Sequence, residues 1–196
     1  MLSNPNETVD PRVRRTRLSI LQAFTELIGE NGFQAISVQD LTERAGINRA
    51  TFYAHFTDKF DLLNQVTQEN FQKAVERRML NACHFSMDNL RELIVVVCEF
   101  VGETHERCAV SEQQFQSMVA NQVRTQITAL LDHWLESAAL LEDARIPPGL
   151  AAIATSWAIY GLATEWSHAK RTPPVEAYAD QVLPLVAANL GLTVHA

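Results

Sequence analysis

The residues best suited to chemistry are crowded between Ala45 and Lys59, where the chain reads A-G-I-N-R-A-T-F-Y-A-H-F-T-D-K. Arg49 can pair with guanine edges, and Thr51 offers a hydroxyl and a methyl to a base. Tyr53, His55 and Lys59 carry donors able to reach phosphates. Interleaved with them, Ile47, Phe52 and Phe56 have the size and apolarity of core residues. Such a mixture fits a short helix with one face packed and the other offered to a ligand. It does not resemble a catalytic centre. Nowhere does the chain contain G-x-S-x-G, a phosphate-binding glycine loop or H-E-x-x-H, so the expectation is that the protein is not an enzyme.

The elements needed to hold this stretch can be read around it. Ile20, Ala23, Phe24, Leu27 and Ile28 recur at helical spacing, and Asn31-Gly32 stops that helix. Ser37 is a good N-cap, with Asp40 in the first turn after it. Val38, Leu41 and Ala45 then make a short amphipathic helix that Gly46 ends. Asn48 caps a third helix over 49–55, and Thr57-Asp58 caps a fourth over about 58–79. Two short helices joined by a turn containing Gly have helix-turn-helix spacing, in which the second helix enters the major groove. The start of the fourth helix would also present free N–H groups to a phosphate. Spacing alone equally allows an ordinary helical corner with a solvated face.

Further along, helical segments are expected over 89–105, 113–119, 122–140, 149–170 and 175–190, with Pro147-Pro148 and Thr172-Pro173-Pro174 as breaks and Pro184 as an irregularity inside the last. No strand-type alternation, repeat or low-complexity run interrupts them. The fold class is therefore all-α with about nine helices, divided into a domain over 11–57 and a second over 58–196.

Charge follows the same division. The 196 residues carry a net charge of −7, yet the span 11–60 holds seven basic and five acidic residues, and 61–196 holds nine basic and sixteen acidic. The net charge by itself argues weakly against a nucleic-acid partner, while the asymmetry between a basic start and an acidic remainder points to two jobs in one chain. The basic run Arg12–Arg17 can add phosphate or minor-groove contacts, or simply form a solvated helix start. Three cysteines, Cys83, Cys98 and Cys108, and a polar start with no apolar leader fit a reducing cytoplasm, and no apolar run approaches a membrane span. His105 and Cys108, with Cys98 and Cys83-His84 upstream, match no zinc spacing, and no metal or cofactor is expected.

Residues 14–64 resemble the N-terminal DNA-binding domain of the TetR/AcrR family of bacterial transcription regulators. The resemblance rests on R-x-x-I-L-x-A-F over 17–24, G-F at Gly32-Phe33, S-V-x-D-L-x-x-x-A-G-I over 37–47 and T-F-Y-x-H-F-x-x-K-x-x-L-L over 51–63. It implies phosphate contacts from Ser37, Tyr53, His55 and Lys59, and base-reading positions at Gln39, Asn48, Arg49, Ala50 and Thr51. Ala54 is small where an aromatic residue or Arg is often found.

The resemblance also implies a homodimer on a palindromic DNA operator, and a C-terminal domain that binds a small-molecule effector and dimerises through its last two helices. Ala154, Ala158, Gly161, Tyr178, Val182 and Leu185 are the candidates for the dimer interface. Phe100, His105, Phe115, Met118, Trp134, Trp157 and Tyr160 are candidates for an effector pocket, against the plainer alternative of core packing. Repression released by an apolar or amphipathic effector is the leading expectation. Activation, or a helical small-molecule binder with a degenerate reader, is the alternative.

Overall fold

Asp10 opens the first helix: its side chain accepts from the Arg12 backbone N–H, and Pro11 occupies the first helical position, where no N–H is needed. The computed structural model describes residues 10–78, 84–107, 113–138 and 146–190. Among these, eight helices follow in order: α1 Pro11–Asn31, α2 Val38–Ala45, α3 Arg49–Tyr53, α4 Lys59–Arg78, α5 Met87–Arg107, α6 Gln113–Ala138, α7 Pro148–His168 and α8 Val175–Asn189.

The expected count of about nine is revised to eight described helices. The segments 113–119 and 122–140 are one helix, α6. Asn121, between the two expected segments, lies inside this helix. Asparagine has only a modest helix penalty, and here its carbonyl accepts from Thr125 Oγ1 one turn on.

The chain divides into two compact units, Met1–Val66 and Thr67–Ala196, and the division falls inside α4. In the first unit Ile20, Phe24, Phe33, Leu41, Phe52, Phe56 and Leu62 are fully buried. Phe33 meets Phe24 and Phe60 edge-on, and Phe52 lies against Phe56. Each such ring removed from water contributes roughly 1.5–3 kcal/mol. Arg44 on α2 reaches both Glu26 and Glu30 of α1, and its hydrogen bonds hold the Glu30 carboxyl below its usual range.

In the second unit α5 is the central helix. Leu93 to Cys98 are six consecutive buried residues, so this stretch is enclosed on all sides rather than along one stripe. α7 and α8 pack against α5, and α6 packs against α7. Val123, Ile127, Leu131 and Trp134 line the inner face of α6, and Ala152, Ile159, Ala163 and Trp166 that of α7. Arg78, at the end of α4, is held by Glu92 and Glu99 of α5 and Glu176 of α8. Pro184 is accommodated within α8 at an exposed position.

Candidate nucleic-acid interface and cavities of the second unit

The turn between α2 and α3 is built by two caps and one glycine. Ser37 and Asp40 form a capping box: Ser37 Oγ accepts from the Asp40 N–H, and the Asp40 carboxylate accepts from the Ser37 N–H at 2.8 Å. The Ser37 hydroxyl also donates to that carboxylate at 2.6 Å, and this bond first, then the one from the Ser37 N–H, holds the Asp40 carboxyl below its usual range. Gly46 ends α2 at φ 66°, a left-handed conformation that favours glycine. Asn48 then caps α3, its Oδ1 accepting from both the N–H and the hydroxyl of Thr51, at 2.8 and 2.9 Å.

These bonds decide which side chains are available on the exposed face. Arg49 donates to Gln39 Oε1 at 3.1 Å, and Gln39 donates to Glu43, so the two base-reading candidates from α2 and α3 form one hydrogen-bonded pair in solvent. Ala50 is exposed beside them. Asn48 and Thr51 are committed to the cap through the oxygens that a base would contact. Tyr53 is 55% exposed and stands edge-on to the buried Phe52. His55 is half-buried beside Phe56. Ile47 is only half-buried, whereas Phe52 and Phe56 are buried as expected.

Two placements differ from expectation. Lys59 does not point out of the fold: its Nζ donates to the carbonyls of Phe33, Gln34 and Ile36 at 3.1, 3.2 and 2.7 Å. The start of α4 is not an open anion site. Asp58 accepts from the N–H groups of Phe60 and Asp61, and Asp61 accepts from that of Thr57. The capping tendency of Asp58 was visible in the sequence, but not that its carboxylate would occupy the place a phosphate needs. Arg12–Arg17 belongs to α1 itself, one of the two readings the sequence left open, and Arg17 lies over the Phe56 ring while donating to Gln65. Gln65 in turn donates to Asp61, a link between α1 and α4 that no local pattern announces.

The effector candidates scatter in the second unit. Phe100, His105 and Tyr160 meet around a space of about 10 Å³ with Val101, Thr104, Gln116 and Val119, room for about one water molecule. His105 stacks on His168, its Nδ1 is 3.0 Å from Ser167 Oγ, and burial first, then the neighbouring His168 and Arg171, push its pKa down. Phe115 is buried, and Met118 is half-buried. Trp134 is fully buried in the core and meets Phe85 edge-on, and Trp157 is 59% exposed with Arg124 stacked 3.5 Å above its ring. Neither tryptophan is among the residues around this small space or along the larger α4–α5 groove. A larger groove, about 490 Å³, opens between α4 and α5 along Asn70, Lys73, Arg77, Val96, Glu99, Phe100 and Glu103.

Of the dimer candidates, Ala154, Gly161 and Leu185 are exposed and Ala158 is half-buried. Val182 is buried within its own unit, and Tyr178 donates its hydroxyl to the Leu162 carbonyl at 2.9 Å. Cys98 is buried, which pushes its thiol up to about 12. Cys83 and Cys108 lie outside the described residues. No group of His, Cys, Asp or Glu among the described residues is placed to hold a metal, and no described helix is long and apolar enough to cross a membrane.

Comparison with known proteins agrees with this arrangement. Residues 20–66 match the family model for bacterial regulatory proteins of the tetR family. The chain is 26% identical over 182 residues to the HTH-type transcriptional regulator AcrR of Shigella flexneri, covering 81% of each. It is 33% identical over 69 residues to the uncharacterized HTH-type regulator YxbF of Bacillus subtilis, spanning 35% of this chain and only 18% of that one. Among solved structures, a TetR-family regulator from Streptomyces coelicolor A3 superposes with a TM-score of 0.63 at 20% identity, covering 98% of this chain and all of the other. The capped helix-turn-helix and the matched residues place 20–66 with the DNA-binding domain of the tetR family of bacterial regulatory proteins, and the chain as a whole shares the all-helical fold of the solved TetR-family regulator.

Proposed function

We propose that the chain is a ligand-responsive regulator of transcription that reads a near-palindromic DNA operator as a homodimer. The observation that carries this reading is the exposed Gln39–Arg49 pair, held by two capped helices and flanked by Tyr53. Arg49 is the specificity residue, because its guanidinium can donate twice to a guanine edge once Gln39 yields it. Ser37, Tyr53 and His55 are the phosphate contacts that hold α3 in register. Ala50 offers only a methyl contact.

The α4–α5 groove supports an amphipathic effector. Its size lies in the usual range for small-molecule sites, with Val96 and Phe100 as apolar lining and Lys73, Arg77, Glu99 and Glu103 as charged lining. α4 supplies one wall and continues by covalent connection into the first unit. A ligand that prefers one position of α4 therefore shifts the population able to bind two half-sites about 34–36 Å apart. Repression relieved by that ligand is the simplest outcome, since release from DNA requires only that the two readers lose their spacing.

The test is selection of duplexes from a random pool with the whole protein, followed by binding measurements on the recovered sequence. Arg49→Ala is expected to relax one position in each half-site at a cost of about 1–3 kcal/mol. Tyr53→Phe is expected to weaken all sequences alike. Recovery of no consensus by the wild type, or of the same consensus by Arg49→Ala, rules the reading out.

A further inference from the structure

We infer that the α4–α5 groove takes a small amphiphile with an anionic head, and that Phe100 is the side chain its apolar tail turns aside; the inference deepens the ligand-responsive reading above and rests on it. The sign of the head follows from which charged groups are already paired. On the α5 wall Glu99 accepts from Arg78, and Arg78 is itself shared among Glu92, Glu99 and Glu176. Glu103, on the same wall, is engaged as well. Among the described residues Lys73 and Arg77 of α4 have no ion-pair partner, although both are exposed and line the groove. They stand at i and i+4, so their stems leave one face of α4. Two unpaired cations on one lip attract a carboxylate or phosphate and repel a cationic head.

The path of the tail follows from two cavities that share a wall. The groove of about 490 Å³ and the space of about 10 Å³ beside His105 have Phe100 and Thr104 in common. These residues are one turn apart on α5, and the Thr104 hydroxyl donates to the Phe100 carbonyl at 2.8 Å. That bond stays within the helix, so the ring of Phe100 is the movable part of the wall. The ring is half-buried and meets Phe71 of α4 edge-on, with centroids 5.3 Å apart. Turning it breaks that contact and joins the groove to a space bordered by Val101, Val119 and Tyr160. The inner end suits a tail and not a charged head. Burial first, then His168 and Arg171, push the pKa of His105 down, so its ring is uncharged at neutral pH, and Thr104 and Gln116 carry no charge. Apolar area removed from water there supplies the drive.

The whole protein is titrated by calorimetry, without DNA, with acetate, octanoate, decanoate and decyltrimethylammonium, each below its micelle threshold. Octanoate and decanoate are expected to bind saturably, decanoate about tenfold the tighter for its two further methylenes. Acetate and the ammonium are expected to bind far more weakly than decanoate. The double change Lys73→Gln, Arg77→Gln is expected to weaken decanoate by about tenfold or more with melting unchanged, since both side chains are exposed. Phe100→Trp, a larger plug, is expected to abolish the rise from octanoate to decanoate, and Phe100→Leu to keep it. Decyltrimethylammonium binding as tightly as decanoate, or decanoate indifferent to the double change, overturns the anionic head. A rise that is absent in wild type, persists in Phe100→Trp or is lost in Phe100→Leu overturns the entry past Phe100. No decanoate binding by wild type overturns both. A selected duplex without decanoate binding counts against this inference alone, and decanoate binding without a selected duplex counts against the DNA-binding reading alone.

Discussion

Single residues in this chain take their roles from the partners the fold assigns them. Arg44 and Arg49 are five positions apart, yet one clamps Glu26 and Glu30 while the other donates to Gln39 on an exposed face. The second can be redirected to a base; the first would have to leave two carboxylates. His105 shows the same dependence. Its imidazole faces His168, Ser167 and Arg171, and Arg171 is also paired with Glu106. The pKa of His105 is below the ordinary 6.5 in the folded chain, so the unfolded chain takes up that proton first as pH falls. The stability this group contributes is complete above about 6.5 and is lost progressively as pH drops toward the lowered folded value. His105→Gln is expected to flatten that part of the stability profile relative to wild type, measured by denaturant unfolding across pH. Profiles that run parallel would show that His105 does not carry the dependence.

At the scale of elements, the reader is marginal without its caps. α3 has five residues, too few to be stable alone, and is held by Asn48 at its start and by Phe52 in the core. Asn48→Ala is expected to lower stability by about 0.5–2 kcal/mol and to reduce DNA affinity through a frayed first turn, seen as a shifted denaturation midpoint with an unchanged m-value. A midpoint equal to wild type would mean that core packing alone holds α3. The helices of this unit were legible because caps, glycines and apolar spacing are local signals. The length of α6 was misjudged because the two apolar patterns were read as separate segments, whereas the burial of Val119, Val123 and Ile127 runs on through one helix. The start of α4 was misjudged for a related reason. The sequence shows a capping aspartate, but only the folded turn shows its carboxylate already bonded to two N–H groups.

At the scale of the whole molecule, α7 is apolar on more faces than its own unit covers. Ala152, Ile159 and Ala163 are buried inward, while Leu150, Ile153 and Trp157 remain exposed on α7 and Leu185, 60% exposed, on α8. The α7 residues recur at helical spacing, with Ala154 and Gly161 extending the same exposed side. Such a stripe marks an association surface, and a second copy of the chain is the occupant the proposed function requires. Trp157→Glu is expected to shift the protein toward monomer in sedimentation and to weaken operator binding, whereas Leu18→Glu, on an exposed apolar residue of α1, should leave association unchanged. A dimer that persists in Trp157→Glu would move the interface elsewhere. Tyr178 and Val182 were expected on this surface. They are engaged within their own unit because α8 has two apolar sides and periodicity does not say which one meets the chain's own core.

By itself the sequence determined the helical class and the helix-turn-helix with its family likeness over 20–66, because these follow from short-range spacing, caps and a dense local motif. Only the tertiary structure decided the rest. It turned Lys59 inward to three carbonyls and left Arg49 and Gln39 paired with each other on a solvent-exposed face. It also buried Trp134 and exposed Trp157. The physical reason is the same in each case. A side chain's type states what it can donate, accept or bury, and its partners come from segments distant in sequence, whose approach no local pattern encodes.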